Sequence, residues 1–388
     1  PPAYAVVDPK RKDEIYPFHD LCGAGIALKT MFALSKKLRR DLNFITQSAD
    51  MAALATVADV VPMAGENRAI VKYGLKLIND GVRPAFRVMS SVKDIVHITA
   101  HETLAFTYAP MINAVSRMGG DTDRIVNMFL SNDISRLERD VLWLDELNER
   151  RKNETKREME FADESIQKKG LAPGVSPGSI VVYHPDFQEG IVGIVAGRLK
   201  ETYQCPAVVF APAGNGLIKA SARSMPGLDI KAALDSMADI MVNYGGHAMA
   251  AGITIQEKDY QEFCDRFEKI VDCDMDVTKN VEVTPIDVVI PAQDLSEEAV
   301  RGLSVLEPFG EGFREPLVGL IANVDSVRYM GSEQQHVKYT DSAAGVSIIT
   351  WGGAEAARKR STYPKKFVGH VSLNEFNGRV SVQMITDN

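Results

Sequence analysis

Residues 179–211 read SIVVYHPDFQEGIVGIVAGRLKETYQCPAVVFA. Ser179 to His184 is a short apolar run with the β-branched bias of a strand. Gly190 to Tyr203 has the length and spacing of a helix, and Cys205 to Ala211 is a second apolar run. Strand, helix and strand joined by short loops make a unit of a parallel sheet, so the expected fold class is α/β. Downstream, Leu217 to Ser221 reads as a strand and Asp229 to Met241 as a helix. A glycine-rich loop (Tyr244 to Gly252), a strand (Ile253 to Gln256) and a helix (Lys258 to Val271) come next. Together these predict a compact α/β domain over 173–276.

Pro173-Gly174-Val175-Ser176-Pro177-Gly178 marks its upstream boundary with turn formers. Before it, residues 133–169 predict one long helix within a connecting segment, 133–172. Its first half keeps an apolar stripe (Ile134, Leu137, Val141, Leu144). Its second half, Asn148 to Glu158, is almost wholly polar, as in a helix that bridges domains through solvent, with its charges on a solvated face. Residues 1–132 read as a helical region after a short opening strand at Ala3–Val7. Leu21–Leu38, Ala49–Ala58 and a helix from Gly65 to a stop at Asn79-Asp80-Gly81 are its clearest elements. From 277 to 388 the pattern becomes short alternating strands: Ile286–Ile290, Leu317–Val327, His336–Tyr339, Val346–Trp351, Phe367–Leu373 and Val380–Ile385. That density suggests a small β-barrel of the OB kind, with a sandwich as the other solution.

The 388 residues exceed one ordinary core. A charged content of 25% and an apolar content of 45% are those of a soluble globular protein. No apolar run reaches membrane-spanning length and no secretory signal opens the chain, so a cytoplasmic location is expected. Cys22, Cys205, Cys264 and Cys273 are scattered without CxxC spacing, which argues against a cysteine-based zinc site. A net charge of −8 disfavours a general nucleic-acid coat protein but not a nuclease, which needs acidic metal ligands and only a local basic groove. The sequence opens Pro1-Pro2 directly into a core-like run, so a piece of a longer protein is expected.

Four stretches carry side chains suited to phosphate chemistry. Asp59 is a single carboxylate in the apolar run Ala55–Pro62; its readings are a helix cap or a cation ligand. Asn113 and Arg117 are four apart and would share a helix face, able to present an amide and a guanidinium to one phosphate; a turn Asn and a surface Arg is the plainer alternative. Ser221 and Arg223 would point to one side of a strand, as an oxyanion clamp or as an ordinary edge face. Gly246 and His247 lie in a Gly/Ala-dense loop whose backbone can approach a phosphate closely. Near the C-terminus, Arg358, Lys359, Arg360, Lys365 and Lys366 cluster around Tyr363, shortly after Trp351. Basic residues interleaved with aromatics suit a single nucleic-acid strand; a solvated loop is the alternative.

Taken together, GGHAMAAG (245–252), SARS (221–224) and HPDFQEGIVGIVAGRLKE (184–201) resemble the DHHA1 domain of the DHH phosphoesterase superfamily. LATVADVVPMAGENRAIVKYGLKLI (54–78) resembles the fourth catalytic motif of the DHH domain. PMINAVSRMGG (110–120) and LEPFGEGFREP (306–316) resemble later segments of RecJ-like exonucleases, the second opening their OB-fold region. The resemblance covers nearly the whole chain in family order. Three departures stand out. The first three motifs, including the DHH triplet, are absent, and PPAYAVVDPKR (1–11) resembles the family segment just after that triplet. Met111 stands where the family usually has Arg. Phe187-Gln188 replaces the usual Trp-His.

The resemblance implies a remnant of a DHH domain, a connecting helix, a DHHA1 domain and an OB-like barrel. It implies 5′-to-3′ hydrolysis of single-stranded DNA in repair and recombination, with two Mn²⁺ or Mg²⁺ ions in the complete protein. Asp59 would be catalytic and a metal ligand, and His247 catalytic. Ser221, Arg223 and Gly246 would hold phosphate, with Asn113 and Arg117 along the DNA path. The implied partners are single-stranded DNA with a free 5′ end and a single-strand-binding protein or helicase. The absent motifs should leave the chain inactive alone. Three rivals are open to the sequence: a DHH-family phosphodiesterase acting on short oligonucleotides or cyclic dinucleotides, which would not need the barrel; a non-catalytic DNA-binding replication scaffold, which would not need Asp59, Arg223 and His247; and a plain OB-fold single-strand binder, which fails to explain the first 275 residues.

Overall fold

The computed structural model describes residues 3–168, 170, 178–274, 285–360, 362–376 and 379–386. The chain folds into two compact units interleaved along the sequence: residues 1–82, 97–106 and 283–388 form one, and 83–96 with 107–282 the other. Among the described residues no helix is long and apolar enough to cross a membrane.

The first unit begins with helices α1 (Gly23–Lys37), α2 (Asn43–Gln47), α3 (Ala49–Ala58) and α4 (Gly65–Asn79). The last two match the periodicity closely, and Gly81 at φ +68° supplies the expected stop after α4. The strand expected at Ala3–Val7 is absent: those residues are exposed and unpaired with any strand among the described residues. An apolar run becomes a strand only where a ladder accepts its backbone groups.

The second unit contains α5 (Pro84–Val92), α6 (Ala109–Arg117), α7 (Thr122–Leu130) and α8 (Ile134–Lys168). It continues with β1 (Ile180–Tyr183), α9 (Val192–Tyr203), β2 (Ala207–Gly214) and β3 (Leu217–Arg223), then α10 (Ile230–Asp235), β4 (Met241–His247), β5 (Ala250–Gln256) and α11 (Tyr260–Asp274). The strands pair in the order β1-β2-β3-β5-β4, with only β1 and β2 parallel, joined through α9 as the run of residues 179–211 predicts. One face of the sheet buries Val208, Phe210, Ala220, Ala222 and Ile253 against Phe263 and Phe267 of α11. On the other face α9 packs Val195 and Leu199 onto Ile180, Val182 and Val209, with Ala162 and Ile166 of α8.

The structure corrects three expectations in this unit. The glycine-rich stretch is a hairpin rather than a loop: β4 and β5 pair from Met241↔Ile255 to His247↔Ala250 around Ala248-Met249. Alternating burial of Ala251, Ile253 and Ile255 drives it. The glycines serve closeness, since a Cβ on Gly246 would lie 2.3 Å from the carbonyl oxygen of Ala250. The helix expected over Asp229–Met241 stops at Asp235, and Met241 already belongs to β4. The polar half of α8 is not wholly solvated: Asn148, Thr155 and Glu158 are buried.

The first unit is completed by β6 (Val288–Pro291), α12 (Glu297–Leu303), β7 (Val318–Ile321), β8 (Ser326–Met330), β9 (His336–Asp341), β10 (Val346–Thr350), α13 (Ala354–Arg358), β11 (Lys366–Phe376) and β12 (Arg379–Thr386). These strands form one mixed sheet in the order β6-β7-β11-β12-β10-β9-β8. β11 coils it: Lys366–Gly369 pair with β7, and His370–Phe376 with β12. The single run expected at Leu317–Val327 is two strands. Asn323 breaks it by donating its N–H to the Asp341 carboxylate at 2.7 Å.

Candidate phosphate-binding site

In the second unit, the register sets Ser221 across from Val209 on one side and Gly252 on the other, and Arg223 across from Ala250, which pairs with His247. Ser221, Arg223 and His247 therefore occupy one face of the sheet, the face α9 covers. The Nη1 of Arg223 donates to Ser221 Oγ at 2.7 Å and to the Ala222 carbonyl at 2.9 Å. Gly193, in the first turn of α9, has no Cβ; one built there would lie 3.3 Å from both Arg223 Nη2 and Ser221 Oγ. Hydroxyl and guanidinium thus lie over a helix N-terminus, where backbone N–H groups and the helix dipole favour an anion.

Arg117 ends α6, with Asn113 one turn earlier on the same helix; Asn113 is exposed and Arg117 half-buried. A Cβ on Gly190 would lie 2.0 Å from the Arg117 carbonyl oxygen, so the loop entering α9 rests directly on the end of α6. Burial holds the Arg117 guanidinium below the usual arginine range, and burial with the charge of Arg117 does the same to Arg223. Arg151 of α8 is lowered by burial and by the charges of Arg117 and Arg198. Among the described residues neither Arg117 nor Arg223 pairs with a carboxylate. Half-buried guanidinium groups that repel one another and lack a counter-charge favour an anion beside them. Beside them opens a cleft of about 440 Å³ lined by Glu189, Lys219, Ser221, Asn243, Tyr244 and Thr254. Gly245 and Gly252 also line it, with open space where their side chains would be. His247 is exposed at the end of β4.

Glu158 does not lie on the solvated face that its neighbours in sequence suggest: it is 0% exposed. Its Oε1 accepts the Gln188 N–H at 2.8 Å, and its Oε2 has no hydrogen-bond partner among the described residues. Burial pushes its carboxyl up to about 7, against the Gln188 N–H and the Arg157 charge, which pull it down. Gly190, Gly193, Arg151 and Glu158 are the parts that sequence reasoning misses. The Gly190/Gly193 spacing ahead of a helix is the available signal for two of them.

In the first unit, Asp59 caps the C-terminal end of α3, its N–H bonded to the Ala55 carbonyl at 2.9 Å. Its side chain is exposed rather than buried in the apolar run. A carboxylate opposes the helix dipole at that end. Val60 comes next at φ +53°, a strained conformation for a β-branched residue. The turn beyond it is tied down. The buried Asn67 Nδ2 donates to the carbonyls of Asp20 (2.8 Å) and Pro62 (3.0 Å), and Met63 N–H to the Glu311 carbonyl (2.6 Å). Among the described residues no three His, Cys, Asp or Glu come together as a metal site, so Asp59 belongs to no ready-made ligand set and does not fit a two-ion centre by itself.

Of the C-terminal basic run, Arg358, Arg360 and Tyr363 line a cleft of about 540 Å³ with Val327, Tyr329 and Tyr339. The Arg358 guanidinium stacks 4.7 Å over Tyr329. Lys359 instead pairs with Glu355 at 2.7 Å, and Trp351 packs edge-on against His336. Lys366 lines a neighbouring cleft with Arg360 and Phe367, and Lys365 lines neither.

Residues 177–272 match the DHHA1 domain and residues 286–388 the RecJ OB domain. The chain is 31% identical over 409 residues to the single-stranded-DNA-specific exonuclease RecJ of Salmonella typhimurium, an alignment that covers 100% of this chain and 70% of that protein. The chain belongs to the RecJ family. The RecJ of Bacillus subtilis is 31% identical over 99% of this chain but 48% of its own length, so the chain spans about half of that relative. The crystal structure of RecJ in complex with Mn²⁺ from Thermus thermophilus has a TM-score of 0.79 at 29% identity, covering 95% of this chain and 53% of that one. A second from that organism, in complex with Mg²⁺, has a TM-score of 0.80 at 28% identity, covering 97% and 56%. In this RecJ-family chain the exonuclease resemblance, the DHHA1 domain and the OB domain are thus as the sequence implied.

Proposed function

We propose that the complete protein is a metal-dependent, single-strand-specific DNA exonuclease working from the 5′ end in repair and recombination. In this reading the present chain supplies its phosphate-holding half. The observation that carries the reading is Ser221 and Arg223 set against the first turn of α9, with the charge of Arg117 acting on Arg223 and no carboxylate partner for either arginine among the described residues. A 5′-phosphate placed there receives the Ser221 hydroxyl, two guanidinium groups and the helix N-terminus. His247, in the same sheet row as Arg223, stands about two strand spacings away, where it can hold or move a proton at the ester. Gly246 keeps that strand close to β5, and Asn113 lies one helical turn before Arg117 along the proposed strand path.

Asp59 is proposed as one ligand of a divalent ion, Mn²⁺ or Mg²⁺, the ions in the RecJ structures this chain is similar to. The other ligands would come from sequence that the relatives carry beyond the matched region. The cleft of Tyr329, Tyr339, Arg358, Arg360 and Tyr363 is proposed to stack bases and follow phosphates of a bound single strand. Trp351, Lys359, Lys365 and Lys366 would then act only at its margins. This OB region favours long strands over the short-oligonucleotide alternative. A single-strand-binding protein or a helicase is the partner class, and the cytoplasm the compartment, that such an activity requires. The test is binding of single-stranded oligonucleotides with and without a 5′-phosphate: preference for the phosphate, lost on Arg223→Ala, is expected, and equal binding of both ends sinks the reading.

A further inference from the structure

Beneath the proposed phosphate site lies a carboxyl group with no role in the chemistry proposed above. Four residues on the polar half of α8 keep helical spacing: Asn148, Arg151, Thr155 and Glu158. Three are buried and the fourth, Arg151, is half-buried, so they form one polar stripe turned into the protein. Arg151 is held by Asn148, which accepts from its Nε at 3.2 Å and its Nη2 at 3.0 Å. Glu158 makes the connection to the site. It accepts the Gln188 N–H at 2.8 Å, and the Gln188 carbonyl in turn accepts the N–H groups of Ile191 (2.9 Å) and Val192 (3.2 Å), which open α9. Two residues after Gln188, Gly190 rests on the Arg117 carbonyl. One residue into the helix, Gly193 lies under Ser221 and Arg223. A buried carboxyl with a single bonded oxygen is a poor choice for stability alone, because its second oxygen is left without a partner.

We infer that Glu158 is a positioning residue for phosphate: by holding the Gln188 N–H it fixes the first turn of α9 and the Arg117 main chain relative to Ser221 and Arg223. The inference rests on the phosphate-site reading above. Glutamine at 158 keeps an oxygen acceptor for Gln188, whereas alanine removes it and frees the loop. Alanine at 190 moves the same loop from its other side, since its Cβ cannot occupy the space against Arg117.

The experiment measures binding of two oligonucleotides of one sequence, 5′-phosphorylated and 5′-hydroxyl, to the whole chain. Glu158→Ala is expected to lower the preference for the phosphorylated end about tenfold, the scale of one displaced contact, with 5′-hydroxyl binding unchanged. Glu158→Gln should restore the preference, and Gly190→Ala should lower it as Glu158→Ala does. A role in stability alone would weaken both oligonucleotides together, and that result overturns the inference. So does a folded Glu158→Ala protein that keeps its preference, or a Glu158→Gln protein as impaired as alanine. If Glu158→Ala does not fold, Gly190→Ala and Glu158→Gln decide. Arg223→Ala in parallel separates the failures. If it too leaves the preference intact, the phosphate site is misassigned; if it abolishes the preference while the others do not, only the role of Glu158 falls.

Discussion

Arg223 donates its Nη1 to the Oγ of Ser221 across 2.7 Å, two residues away on the same strand. The bond orients the guanidinium over the first turn of α9 and leaves its other donors for an external acceptor. Arg223→Ala should therefore lose about 1.5–3 kcal/mol of affinity for a 5′-phosphorylated oligonucleotide, the range for a charged hydrogen bond. Arg223→Lys should recover only part, since a point charge does not replace a planar fork. Titration with labelled oligonucleotides checks both, and wild-type affinity in the alanine variant would remove Arg223 from the site.

Asp59 is exposed and, among the described residues, belongs to no group of three metal donors. The 388-residue chain alone should not release mononucleotides from single-stranded DNA in Mn²⁺. Extended at its N-terminus with the matching upstream segment of a RecJ relative, it should gain that activity, and Asp59→Ala should remove it. Robust Mn²⁺-dependent digestion by the chain alone would refute this division of labour.

Val60 holds φ +53° immediately after Asp59. That conformation costs roughly 1–2 kcal/mol for an ordinary residue, and glycine would escape it at about 0.5–1 kcal/mol of added chain entropy. Val60→Gly should therefore raise stability by about 0.5–1 kcal/mol in thermal or denaturant unfolding. If the strain serves to aim Asp59, the extended, active protein should lose turnover on the same substitution. A destabilised Val60→Gly variant would contradict the strain.

Glu158 gives stability a pH dependence whose sign is fixed. Its folded carboxyl stands at about 7, above the ordinary 4.5, so the fold favours the protonated acid. That contribution is complete below pH 4.5 and is lost as pH rises through about 7. Glu158→Gln cannot ionise and should overtake the wild type above neutrality by up to about 3 kcal/mol. Denaturant unfolding of both proteins between about pH 5 and 8 measures it; parallel curves would show that the carboxyl titrates normally.

Arg358 and Arg360 line the cleft of the C-terminal sheet, whereas Lys359 is paired with Glu355. Replacing both arginines by alanine should flatten the dependence of log affinity on log salt by about 1.4, at about 0.7 per phosphate contact. Lys359→Ala should barely change it. Tyr363→Ala should cost about 1–3 kcal/mol on long oligonucleotides if its ring stacks on a base. Unchanged slopes and affinities would make the run a solvated surface.

Much of this protein is legible locally. The β1-α9-β2 unit can be read from the run of residues 179–211, and α3 and α4 from apolar spacing, because helix and strand periods are properties of neighbouring residues. The candidate residues Asp59, Arg117, Ser221, Arg223 and His247 stand out by type and spacing. Tertiary structure alone decided which of them meet. The 244–252 stretch reads as a loop by its glycines, but pairing with β3 makes it a hairpin and sets His247 in the row of Arg223. No local signal places Gly190 on the Arg117 carbonyl, 73 residues earlier in the chain. The polar half of α8 looks solvated because hydrophobicity scales treat Glu and Asn as surface groups. Glu158 is nevertheless buried, because the Gln188 N–H and the loop entering α9 close over it, and only the folded chain brings that donor within 2.8 Å.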